Sequence, residues 1–278
     1  MAIINNQTFP FSRWWFSSAI DLVVTNPSCF SKKNIAHTMA VLIAGSKVVI
    51  AIKEWLISAT IIEPGPKQTY KLTNFGVAIR NNDPQLNNSG TWWAIHLALS
   101  FSSKGETYSL YFIEVAQSKS LGIESKELLE SLQNQLKDSY AEASVEKSFQ
   151  GVNKLFDKNS PLDDLGLITK GGRIKLGNPD LTHDIILHAL FLVKFIAFPS
   201  RESISFSKLC ESSHLHHFLC LSLHKLRDSL VEMSQSKEYG KYFNFSIAID
   251  IESLTFSDEI TPAHTILRLI QSKEETWK

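Results

Sequence analysis

Residues 46–72 constrain the fold of this 278-residue chain more than any other stretch. Val48, Val49, Ile52, Trp55 and Leu56 recur at helical spacing, so at about 100° per residue they fall on one face. Ile61-Ile62-Glu63 and Thr69-Tyr70-Lys71-Leu72 follow on either side of Pro64-Gly65-Pro66, a sequence that breaks a helix and suits a turn between two strands. Upstream, Phe9-Pro10-Phe11 and Trp14-Trp15-Phe16 anchor a first helix that stops at Asn26-Pro27. Ser31 can cap a second helix reaching Ala40, and Gly45-Ser46 separates it from the third. Helix, helix, turn, helix, hairpin is the order of a winged helix-turn-helix.

The pattern continues downstream. Thr73 caps a short helix broken by Asn81-Asn82-Asp83-Pro84, and a further helix starts near Thr91. Leu128, Leu129, Leu132 and Leu136 share a helical face, Ser144 opens another helix, and residues 165–168 and 173–176 flank Lys170-Gly171-Gly172 as a second hairpin. A third block runs through helices at 185–198, 205–210 and 221–233 to an alternating strand at 243–251. The expected fold class is mainly α with small β-hairpins, in tandem winged-helix-like units. Residues 1–101 form the N-terminal unit, 102–124 a linker, 125–180 a second block and 181–278 a third. The blocks repeat in the order of their elements and not in their residues.

Lys plus Arg and Asp plus Glu number 28 each, so no net field draws the chain to a polyanion and any nucleic-acid contact must come from a local patch. Hydrophobic residues at 44% and charged residues at 20% are ordinary globular usage. Residues 1–12 lack a basic segment followed by an apolar core, and the apolar run 185–198 is short of the roughly 20 residues a membrane span needs and contains His188 and Lys194. Cys29, Cys210 and Cys220 make no disulfide framework. The expected setting is cytoplasmic, with no membrane.

Several spaced residues carry a family resemblance. Thr8-Phe9-Pro10-Phe11 with Arg13-Trp14, Gly45 with Ile52 and Trp55-Leu56, Leu72-Thr73 with Gly76, Asp83-Pro84 with Leu86, Thr91 with Trp93 and His96, and Pro161-Leu162 with Leu165-Gly166-Leu167-Ile168 resemble the bacterial domain-of-unknown-function family 4007. The resemblance implies an accessory protein encoded beside sulfur-transfer enzymes and ATPases of phosphorothioate-type DNA modification and anti-phage defence. The family opening places His-Glu before Thr8, where this chain has Asn6-Gln7, which hydrogen-bond but lose a titratable pair. It often has a basic residue where Ile50 stands.

Opposite the core stripe of the third helix lie Lys47, Ile50, Lys53, Glu54 and Ile57. Lys32 and Lys33 precede the second helix, Lys67 and Lys71 sit on the wing, and Arg80 follows. Together with Lys47 and Lys53 these cations are the expected DNA contacts, made to phosphates without reading bases. Ile50 and Ile57 suit a protein partner better. Cys210, His214, His216, His217, Cys220 and His224 are zinc-capable, and Cys210/His214 and Cys220/His224 are i, i+4 pairs. The short two-residue Cys spacing of structural zinc sites is missing, so core cysteines beside turn histidines are expected and no metal. Gly-x-Ser-x-Gly is absent, Gly171-Gly172-Arg173 lacks the end of a phosphate loop, and Asp163-Asp164 and Glu274-Glu275 are sequence neighbours that do not face one another. His96 beside Trp92 and Trp93 reads as a core group. No catalytic residue and no cofactor is expected. The leading expectation is a nonenzymatic DNA-binding accessory subunit of a modification or defence complex. The alternatives are an adaptor docking a sulfur-transfer enzyme or ATPase, and a regulator of the same gene cluster, for which a homodimer is expected.

Overall fold

The computed structural model describes residues 2–248 and 251–271. α1 (Arg13–Thr25) starts where the Ser12 side chain accepts from the Trp15 amide, and its last turn closes at Asn26, ahead of Pro27. α2 (Ile35–Val41) and α3 (Ser46–Ser58) are bent by 88° across the turn at residues 42–45. β1 (Ile62–Pro64) pairs antiparallel with β2 (Tyr70–Leu72), Ile62 opposite Leu72, so the Pro-Gly-Pro hairpin forms as expected. α4 (Asn74–Asn82) is capped by Thr73, whose hydroxyl oxygen accepts from the Gly76 amide. Gly76 is required there because a Cβ would lie 2.2 Å from the Ile61 carbonyl oxygen.

α5 (Ser89–Phe101), capped by Asn88, has no polar face: its residues from Gly90 to Ser100 are all buried, as an all-round apolar helix must be. The expected linker at 102–124 is instead mostly α6 (Glu106–Gln117), with Thr107, Tyr108, Tyr111, Phe112 and Val115 buried. Those residues recur at helical spacing, and only the turn at 102–105 breaks the chain. α7 (Ser125–Leu136) opens with a capping box of Glu124 and Glu127. α8 (Glu142–Lys154) begins two residues before Ser144, the expected cap. β3 (Ile168–Gly171) and β4 (Arg173–Leu176) form the second hairpin, turning at Gly172 with φ of 81°.

The third block is α9 (His183–Ala197), β5 (Ser203–Ser205), α10 (Phe206–Ser213), α11 (Leu215–Phe218), α12 (Leu223–Gln235), β6 (Phe243–Ala248), β7 (Ile251–Phe256) and α13 (Pro262–Gln271). Its strands form an antiparallel sheet in the order β5-β7-β6. The blocks share one continuous core. α5 packs on α6, α9 and α13, and α13 returns to α4, where the Gln271 amide donates to Asn82.

Two ties fix this assembly. His96, wholly buried on α5, bonds the Tyr108 hydroxyl through Nδ1 and the Phe218 carbonyl through Nε2, each at 2.8 Å. A carbonyl only accepts, so Nε2 carries the proton and Nδ1 accepts from Tyr108. Residues 2–12 form a strap. Asn6 Nδ2 donates to the Ser148 carbonyl at 2.9 Å, Lys154 Nζ to the Thr8 carbonyl at 3.1 Å, and Trp55 Nε1 to the Phe9 carbonyl at 2.8 Å. Asn6, which stands at the resemblance's titratable position, is therefore a buried fastener of the strap.

Burial lowers the pKa of His96 from 6.5 to about 4 and that of His188 to about 3. A histidine with a depressed folded pKa leaves the unfolded state binding more protons below pH 6.5, so stability falls as pH drops through that window. Urea midpoints measured from pH 7 to pH 4 should decline steadily, and a flat profile would contradict this account. Gly151 faces Asn6 so closely that a Cβ would lie 2.2 Å from Asn6 Nδ2. Gly151→Ala should cost about 1–3 kcal/mol by overpacking, read as a lower thermal midpoint.

Candidate nucleic-acid interface

The inner face of α3 in the α2–turn–α3 unit is packed against α1 and the aromatic residue Phe11. Val49, Ile52, Trp55 and Leu56 of α3 point inward, Phe11 meets the Trp55 ring edge-on at 5.2 Å, and Phe11 stacks at 5.7 Å on Trp92 of α5. This packing determines which face of α3 is left to solvent. Lys47 is exposed and Ile50 is 36% exposed. Ile57, expected outside with Ile50, is half-buried against the core. Ala51 and Ser58 are buried along with the four inward residues, so the inward face is wider than the apolar stripe alone, and Ile57 falls on its margin. Lys53 is also half-buried and lies 2.9 Å from Glu54.

The first turn of α3 holds no acidic residue, and its N-cap, Gly45, offers no side-chain acceptor. Its leading amides and the positive end of its dipole are thus unneutralised by the helix itself. Lys32 and Lys33 are exposed in the turn before α2, and Lys67 is exposed at the hairpin turn with φ of 52°. Among the described residues, Lys32, Lys33, Lys47 and Lys67 make no ion pair, whereas Lys71 pairs with Glu63 at 2.8 Å and Arg80 with Asp21 at 3.1 Å. The charge is segregated along the chain. Residues 1–101 hold Arg13, Arg80, Lys32, Lys33, Lys47, Lys53, Lys67 and Lys71 against only Asp21, Glu54, Glu63 and Asp83, so the overall balance conceals a basic N-terminal block.

Two features escaped the sequence. Ile43, in the α2–α3 turn, is 81% exposed and sits in the left-handed region at φ of 44°, a conformation β-branched residues rarely take. No local pattern marks a residue for that conformation except glycine or asparagine, and Ile43 is neither. An open groove of about 350 Å³ lies between α1, β2 and α4, walled by Val24, Leu72 and Val77 and bordered by Lys71 and Arg80.

The cysteine and histidine set from 210 to 224 divides among separate surroundings. Cys210 is buried, and burial pushes its thiol up to about 12. Cys220 donates its thiol to the Leu167 carbonyl, and exposed His224 lies 3.4 Å from Asp228. The rings of His216 and His217 are 3.9 Å apart, with His214 5.7 Å from His217, and burial lowers the pKa of His216 to about 4. Among the described residues no group of three or more His, Cys, Asp or Glu is placed to hold a metal ion. Asp164 accepts from Arg13 and Asp163 from the Asn159 amide, so that pair faces two different partners. Glu274-Glu275 lie outside the described residues.

No single described helix is long and apolar enough to cross a membrane. No curated protein matches the chain. The fold is similar to a solved structure described as magnesium ion-bound SspB, with a TM-score of 0.73 and 17% identity over 99% of this chain and 90% of that one. A second SspB crystal structure is similar at a TM-score of 0.71, with the same identity and coverage. At that identity the likeness concerns the fold. A family model described as a protein of unknown function, DUF4007, matches residues 4–269, and the chain belongs to that family.

Proposed function

We propose that this chain is an accessory subunit that seats a DNA-modification or defence complex on duplex DNA, holding phosphates with its N-terminal helix-turn-helix and hairpin and performing no reaction of its own. The observation that carries the reading is the geometry of that block. Two helices bent by 88° across a four-residue turn ending in Gly45, followed by a hairpin, support reading the block as a helix-turn-helix with a wing. The cations without carboxylate partners lie at the α2 approach, the α3 N-terminus and the hairpin turn. The fold likeness to SspB, and the phosphorothioation gene neighbourhood that the family resemblance implies, support the setting. With Lys53 tied to Glu54 and Ile50 outward, α3 has few groups for base edges, so the affinity is for backbone and not for sequence.

A second reading has its own support. Val41, Ile43 and Ile50 are exposed apolar residues of the same α2–α3 unit, which suits docking of a protein partner. The two separate by salt. Four free lysines predict a slope of log affinity against log salt of about −3.5 for a random-sequence duplex. Lys47→Glu with Lys67→Glu should flatten that slope by about 2 and leave the thermal midpoint unchanged. Absence of duplex binding at low salt would leave the adaptor reading alone.

A further inference from the structure

Three of the cations singled out from the sequence are held by carboxylates of this same chain. Lys71 and Glu63 stand directly opposite each other in the β1–β2 register, 2.8 Å apart. Arg80 Nε donates to Asp21 Oδ1 at 3.1 Å, joining α4 to α1. Both pairs are open to solvent, with side-chain exposures of 70% and 49% in the first and 41% and 58% in the second. The Lys53–Glu54 pair is more enclosed, at 23% and 26%. Ion pairs as exposed as the first two contribute little to folding, so their main consequence is for the surface field. Lys71 and Arg80 border the same groove, and Lys71 shares its hairpin with unpaired Lys67.

We propose that Glu63 and Asp21 act as internal competitors for Lys71 and Arg80, holding the DNA-facing surface at low affinity. A backbone phosphate reaches either cation only by displacing its carboxylate, which also repels the phosphate once displaced. The basal contact then rests on Lys32, Lys33, Lys47 and Lys67, and two further contacts stay in reserve until the carboxylates are neutralised or drawn away. This inference rests on the reading that the N-terminal block meets DNA.

The test measures binding of a random-sequence duplex across a salt series to the full chain, to Glu63→Gln, to Asp21→Asn and to the double variant. Glu130→Gln is the control, because it frees Lys126 on α7, which packs on α6 and α8. Each masking variant should steepen the salt slope by about 1, so between about 50 and 200 mM salt the double variant should lose about tenfold more affinity than the unaltered chain. At the low-salt end it should bind at least about threefold tighter, and the control should match the unaltered chain. Binding by the double variant alone would support masking in its strongest form. If the unaltered chain binds and the double variant behaves identically, masking is wrong and the DNA reading stands. If the control gains as much as the masking variants, the effect is general charge and the proposal fails. If no protein binds, both ideas fall. Equal thermal midpoints across the set establish that every variant is folded.

Discussion

The buried contact of His96 with Tyr108 and Phe218 is the joint on which the arrangement of the blocks depends. α5 is apolar all round and must be covered on every side, which α6, α9 and α13 accomplish together with Phe218 of α11. Apolar burial alone does not choose a register, because a helix slid by one turn still buries methyl groups. A neutral imidazole with one donor and one acceptor does choose, since either nitrogen left without its partner in that interior would cost about 1–3 kcal/mol. His96 therefore sets α6 and α11 relative to α5, and with them the sites on either side.

Much of the fold was legible in the sequence because it was written in local terms. The Pro-Gly-Pro hairpin, the Thr73 cap, the break at Asn81-Asn82-Asp83-Pro84 and the turn at Gly171-Gly172 all depend on backbone preferences of the residues themselves. α6 reads as linker only if the polar turn at 102–105 is extended over a segment whose aromatic spacing is itself helical. The site was less legible, for a different reason. Whether a lysine is free depends on which carboxylate the fold brings to it. Glu63 reaches Lys71 only through strand pairing, and Asp21 reaches Arg80 only because α1 packs on α4. The strained, exposed Ile43 is likewise a product of the 88° turn and of nothing in its neighbours' composition.

The equality of acidic and basic residues has a structural meaning that composition conceals. The N-terminal block keeps the surplus of cations and the remaining two thirds of the chain keep the matching surplus of acids. Beyond about 8–10 Å these fields are screened at ordinary ionic strength, so a phosphate backbone at the hairpin experiences mainly the local lysines. The absence of net charge is therefore no obstacle to the proposed contact of the N-terminal block with a polyanion.

The strap links this basic end to the rest of the molecule. Trp55 of α3 is bonded to Phe9, while Asn6 and Thr8 of the same segment are bonded to Ser148 and Lys154 of α8. α3 is thus held from within by its apolar face and from behind by a segment anchored on the next block. A helix so fastened cannot rotate to bring Ile57 or Lys53 outward without breaking the indole hydrogen bond and unpacking Phe11. The packing thus sets its outward face, and under the proposed DNA contact any adjustment of affinity falls to side chains of the neighbouring elements. The exposed ion pairs of Lys71 on β2 and Arg80 on α4 are where the proposed masking would leave a scaffold this constrained free to respond.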